Sequence, residues 1–131
     1  MLLAGTGPAA AYDATDYVLV VGTDRQLYIH RTGVTGFTAV GGVTNSTPAL
    51  VNAPSSGSLV GFARGTNSAG FFHRFLAATP GWQSMGGVLT SGMAASATTT
   101  NWYAYGLGTD TQVWEHPGTT GATGSWARVT P

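Results

Sequence analysis

Short apolar runs alternate with polar, glycine-rich breaks along the whole chain, and no stretch keeps a 3.6-residue apolar period through three helical turns. The runs are β-branched or aromatic and are bounded by Gly, Asn, Asp, Ser and Pro, which predicts β-strands. They fall into three groups of four. Each group opens with a small-residue strand, at 8–11, 48–51 and 93–96. A second strand follows at 17–21, 58–63 and 102–107, and a third at 26–31, 70–75 and 112–116. A fourth carries an aromatic residue, at 36–40, 81–85 and 125–129.

One motif fixes the register between the groups. Gly22-Thr23-Asp24, Gly65-Thr66-Asn67 and Gly108-Thr109-Asp110 are spaced 43 residues apart. Each sits between a second and a third strand. Asp and Asn there bond their own main chain and tolerate unusual backbone angles, which suits a tight turn. His30, His73 and His116 follow at one offset, with Tyr28, Phe71 and Trp114 two residues before them. Such a period marks a repeat array, and four strands in this span is the size of a propeller blade. The fold expected is all-β: three four-stranded antiparallel blades at 7–45, 46–90 and 91–131, together one propeller half over 1–131. Small first strands suit a crowded axis, and aromatic fourth strands suit the wider outer rim.

Propellers close with about four to eight blades. Three blades leave two open faces, and exposed apolar faces are normally covered by a partner. Set head to tail, a second copy places its Asp24 45 residues after Asp110, close to the internal 43. A homodimer closing one six-bladed ring is therefore expected.

Composition narrows the partners. Charged residues are 8% of the chain, and five basic side chains balance five acidic ones. Nucleic acid and anionic membranes call for a basic surface, so neither is expected. No apolar run approaches the length of a membrane helix. The N-terminus lacks the basic and apolar segments of a secretory signal. Cysteine is absent, so thiol chemistry and disulfides are excluded while the compartment stays open. Enzyme chemistry has little support: Asp24 and Asp110 read as turn formers, the three histidines are equivalent copies, and no carboxylate pair or Ser-His-Asp set stands out. No cofactor or metal site is expected.

Phe62-Ala63-Arg64-Gly65-Thr66-Asn67, Phe72-His73-Arg74, and the run from Gly81-Trp82 through Gly86-Gly87 to Thr90-Ser91-Gly92 resemble the repeat of the PLL-like bacterial propeller lectins. The resemblance extends over essentially the whole chain. It is strongest in the second unit and weakest in the third, where Pro117 replaces a basic residue and the Gly-Gly pair is missing. Members of that family carry seven blades and bind fucose and related, often O-methylated, sugars between neighbouring blades. The resemblance thus implies a non-catalytic lectin with shallow repeated sites, strengthened by multivalency.

A sugar needs an aromatic plate beside a few fixed donors and acceptors. Candidate plates are Tyr28, Phe71 and Trp114 on the third strands, Phe37, Trp82 and Trp126 on the fourth, and Trp102 with Tyr103 and Tyr105 on the second. Candidate hydroxyl partners are His30, His73, His116, Arg31 and Arg74, with Asn67, Gln83 and Glu115. All of these can equally be scaffold, since a blade repeats whatever its packing needs. A protein-interaction or structural propeller, or a piece of a larger one, is the competing expectation. It would present one flat face in place of repeated pockets.

Overall fold

The structure, a computed structural model, describes residues 1–54, 58–78, 80–119 and 122–130. Residues 55–57 and 79 in the predicted second unit, and 120–121 and 131 in the third, lie outside the described residues. The first sheet orders β1 (Ala9–Tyr12), β2 (Asp16–Val21), β3 (Gln26–Arg31) and β4 (Thr38–Val43) as consecutive antiparallel neighbours. The second does the same with β5 (Ala49–Ala53), β6 (Ser58–Arg64), β7 (Gly70–Arg74) and β8 (Trp82–Gly86). The third holds β9 (Ala94–Ala97), β10 (Asn101–Leu107) and β11 (Val113–Thr119). Its outer strand is split into β12 (Ala122–Thr123) and β13 (Ala127–Arg128), both paired with β11. The protein is all-β, with three blade-like sheets.

The split corrects the single strand expected at 125–129. Pro117 lies in β11, opposite Tyr103, and its ring crowds the outer strand. A Cβ on Gly124 would lie 2.7 Å from that ring, so only glycine passes there; the Gly124 N–H still donates to the Pro117 carbonyl at 3.0 Å. The chain slips one residue across this point, and pairing resumes at Ala127.

The small first strands do what their size suggests: β1 neighbours β5, and β5 neighbours β9. The core lies between sheets. One cluster joins Leu19, Val21 and Leu27 of the first blade to Leu50, Leu59 and Ala63 of the second. Another joins Val60, Phe62 and Phe72 of the second blade to Trp102 and Ala104 of the third. Successive residues of β6 thus feed opposite clusters, so both of its faces are apolar and covered. We call the face of each blade toward its predecessor leading and the other trailing.

The outer rim is stitched by indoles. Trp82 Nε1 donates to the Val40 carbonyl at 3.0 Å, one blade back. Trp126 Nε1 repeats this with the Met85 carbonyl at 3.0 Å. Each indole lies on a glycine, Gly42 or Gly87, where the backbone has positive φ (75° and 78°) and a Cβ would fall within 2.9 and 2.8 Å of the ring nitrogen. These glycines follow bulges that bend the outer edges of blades one and two.

Neighbouring glycines separate two costs. Gly41 also has positive φ (71°), but a Cβ there meets nothing within 4 Å. Gly41→Ala is expected to lower stability by about 1–2 kcal/mol through backbone strain alone. Gly42→Ala should lose about 1 kcal/mol more, because Trp82 is displaced and its hydrogen bond lost. Urea unfolding midpoints of the two variants check the difference.

Candidate functional site

The Gly-Thr turn is built identically three times. The N–H of Arg25, Ser68 and Thr111 donates to the carbonyl of Gly22, Gly65 and Gly108 at 2.8, 2.9 and 3.1 Å. Inside each turn, Asp24, Asn67 and Asp110 accept from the backbone N–H two residues on, at 3.1, 3.1 and 3.0 Å. Arg25, Ser68 and Thr111 sit at φ of 67°, 68° and 61°. This region disfavours residues with a Cβ, above all a β-branched threonine, so the same turn position is strained in every blade.

The opening glycine is needed for a different reason. The third-strand aromatic folds back over the turn, so a Cβ on Gly22, Gly65 or Gly108 would stand 2.7, 2.6 or 2.6 Å from Tyr28, Phe71 or Trp114. In two blades this aromatic is also tied to the turn carboxylate. The Tyr28 hydroxyl donates to Asp24 Oδ2 at 2.6 Å, and Trp114 Nε1 donates to Asp110 Oδ1 at 3.1 Å. The Tyr28 hydroxyl, then the Gln26 N–H, holds Asp24 below the ordinary carboxylate range. The Trp114 indole, then the Gln112 N–H, does the same for Asp110. Both are anionic at neutral pH, whereas Asn67 is uncharged.

Beside each turn opens a pocket, and the three are made of equivalent parts. In the first blade it is about 320 Å³, between Gly22-Thr23-Asp24, Tyr28 and Phe37, with Met1 and Leu2 as its far wall. In the second it is about 290 Å³, between Gly65-Thr66-Asn67, Phe71 and Trp82, with Gly42 and Val43 of the preceding blade as the wall. In the third it is about 280 Å³, between Gly108-Thr109-Asp110, Trp114 and Trp126, walled by Gly87, Val88 and Leu89. Each combines an aromatic from the third strand, one at the start of the outer strand (Trp82) or just before it (Phe37, Trp126), a threonine and an amide or carboxylate. Their size is near the lower end for small-molecule sites, roughly 300 Å³.

Of the sequence candidates, Tyr28, Phe71, Trp114, Trp82 and Trp126 line these pockets, together with Phe37 and Asn67. The histidines, the two arginines, Gln83, Glu115, Tyr103 and Tyr105 do not, and Trp102 is core, fully buried against Phe62 and Phe72. His73 and His116 are buried, 5% and 3% exposed, behind the fourth-strand tryptophans. His73 is stacked on Phe75 at 4.2 Å and meets Trp82 edge-on at 5.1 Å. His116 lies parallel to Trp102 at 6.0 Å and meets Trp126 edge-on at 5.1 Å. Half-buried His30 donates from Nδ1 to the Gly36 carbonyl at 2.7 Å and contacts Phe37 at 5.3 Å. Arg31 is exposed at the end of β3, and Arg74 lies 6.0 Å from the Phe72 ring centre. Sequence reading passed over the threonines of the turn and the wall residues Val43, Val88 and Leu89. The threonines carried a signal, since they recur in the same register as the glycines.

Among the described residues, no group of three or more His, Cys, Asp or Glu side chains comes together. The arrangement offers aromatic faces, a threonine hydroxyl and an acceptor in every pocket, the acceptor being a carboxylate in blades one and three and an amide in blade two. No family model matches the chain, and comparison with curated proteins finds no match.

Burial lowers the pKa of both His73 and His116 below the ordinary 6.5. The unfolded chain then binds their protons more readily than the folded one, so their contribution is full above pH 6.5 and is lost as pH falls through the lowered values. Urea midpoints should therefore drop progressively below pH 6.5. Replacing either residue with Gln should flatten that slope.

Proposed function

We propose that the chain is a non-catalytic carbohydrate-binding protein whose sites are the pockets between neighbouring blades. The observation that carries this reading is the threefold recurrence of one unfilled pocket with the same parts. Packing alone explains repeated side chains, because a blade repeats whatever its core needs. It does not by itself call for an open cleft bounded by two rings, a threonine and an amide or carboxylate at the same place in each blade.

The parts suit a sugar. The C–H face of a pyranose lies on the fourth-strand ring, and its hydroxyls meet the threonine and the Asp or Asn of the turn. The apolar wall of Val43 or Val88 and Leu89 accepts a methyl substituent. With the motif resemblance, this favours fucosylated or O-methylated glycans. The pockets are open to solvent on one side, so each site is weak alone. Strength comes from linked sites on one ring, which raise avidity by roughly 10²- to 10⁴-fold on clustered glycans. The ring is the homodimer of six blades, each chain covering the open faces of the other.

Methyl α-L-fucoside and its O-methylated analogues, titrated into the full chain, should bind in the millimolar range. Trp82→Ala and Trp126→Ala should each remove one site, while Trp82→Phe keeps most of the binding and controls for folding. Surfaces dense in the same sugars should hold the protein at least a hundredfold more tightly. Absence of binding across a broad glycan array, fucosylated and methylated sugars included, sinks the reading. Undiminished binding in the double Trp→Ala variant sinks the assignment of the sites.

A further inference from the structure

The three pockets share their parts but not their charge. The turn side chain is a carboxylate in blades one and three, Asp24 and Asp110, and an amide in blade two, Asn67. In a chain with only five acidic residues, a negative charge lining a pocket asks for a reason.

The turn does not supply one. Its inner bond comes from the backbone N–H two residues on, and it reaches Asn67 Oδ1 at 3.1 Å and Asp110 Oδ1 at 3.0 Å. An amide oxygen therefore makes this turn as well as a carboxylate oxygen does. The third-strand ring supplies a reason in blade one only. There Asp24 commits both oxygens to the scaffold: Oδ1 accepts from the Gln26 N–H at 3.1 Å, and Oδ2 from the Tyr28 hydroxyl at 2.6 Å. Asparagine would offer one of these donors an NH2 group in place of an acceptor.

Blade three is different. The Trp114 indole donates at 3.1 Å to Asp110 Oδ1, the oxygen that already serves the turn. Asparagine would keep both bonds through its single oxygen. Among the described residues, Asp110 Oδ2 has no hydrogen bond, so neither turn nor ring requires the second oxygen and its charge. The field of Arg128 adds least to what keeps this carboxylate ionised, and Arg128 does not line the pocket.

The surroundings of that carboxylate are aromatic. Trp114 and Trp126 both line its pocket, whereas blade two offers one indole and a phenylalanine, and blade one a tyrosine and a phenylalanine. Both indole N–H groups are already bonded, Trp114 to Asp110 and Trp126 to the Met85 carbonyl, so the rings have their faces left to offer. Indole is the best of the aromatic faces for a cation. A spare anionic oxygen beside two such faces, in a cleft of about 280 Å³, is suited to an ammonium group. The carboxylate gives it a charge-assisted hydrogen bond, and the rings cover the rest.

We infer that the blade-three pocket takes a sugar carrying a protonated amine, while the blade-two pocket takes neutral sugars. This rests on the sugar-binding reading and gives the pockets different ligands within it. The ammonium donates to Asp110 Oδ2, and the C–H face of the pyranose lies on an indole. Asn67 meets a hydroxyl in blade two and has no charge to attract an amine. Asp110 is exposed, so solvent and salt screen the attraction and the preference is modest, about tenfold.

The test compares methyl α-L-fucoside with its 2-amino-2-deoxy and 3-amino-3-deoxy counterparts at about pH 6.5, where such amines are protonated. The N-acetyl forms of both keep the bulk and lose the charge. The indole N–H signals of the full chain report each site: Trp114 and Trp126 for blade three, Trp82 for blade two, and buried Trp102 for neither. One of the amino sugars should bind at Trp114 and Trp126 about tenfold more tightly than the fucoside and than its own N-acetyl form, with under about twofold difference at Trp82. Asp110→Asn should bring that ratio below about twofold, and blade two shows that this turn forms on asparagine. The reverse change, Asn67→Asp, should create a preference at Trp82, a gain that misfolding does not produce. Equal binding of charged and neutral sugars at Trp114 and Trp126 overturns the inference and leaves the sugar reading standing. A preference that survives Asp110→Asn, or fails to arise in Asn67→Asp, overturns the role of the carboxylate. Silence of all three pocket indoles toward every sugar overturns the sugar reading, and the inference with it.

Discussion

A four-stranded sheet with apolar side chains on both faces cannot stand in water alone. In β6 every residue from Leu59 to Ala63 is buried, and successive side chains point into different clusters. The blade is therefore stable only when sandwiched. Antiparallel sheets more often keep one wet face, so this two-sided burial is what turns separate hairpins into an array. The near absence of charge follows from the same constraint, because charged side chains have little place on covered faces.

The pockets are a consequence of how the outer edges of those sheets are closed. Near the axis, alanines bring first strands together. Toward the rim the blades diverge, and aromatic rings fill the widening gap. Each tryptophan of the fourth strand leans back onto a glycine of the preceding blade, and each third-strand aromatic leans onto the glycine of its own turn. Two rings leaning in different directions leave a space between them. The turn that bounds the space is strained at Arg25, Ser68 and Thr111 in all three blades, although glycine would relieve it. The turn's own hydrogen bonds hold this strained conformation at the same place in each repeat.

Much of this was legible in the sequence, because repetition and turn chemistry are local. The Gly-Thr interval located all three hairpins, and β3 begins and ends where alternation placed it. The split outer strand of blade three escaped because its cause is a cross-strand contact, Pro117 against Gly124, between residues whose pairing the sequence does not reveal. The candidate site was half legible for a related reason. Phe71 and His73 are two residues apart on one strand and share a face. Trp82, from another strand, stands beside both: it lines the pocket with Phe71 and covers His73 from the other side. Repetition marks both residues alike, and only the position of that ring separates lining from core.

The central proposal is that every blade face needs a neighbour and that the two faces left uncovered in one copy of these three blades meet those of a second copy. Native mass by light scattering, at the concentrations used for binding, tests this most directly. The account predicts a particle of two chains, each of 13.4 kDa. A stable single chain contradicts it, since the leading face of blade one and the trailing face of blade three would then remain in water.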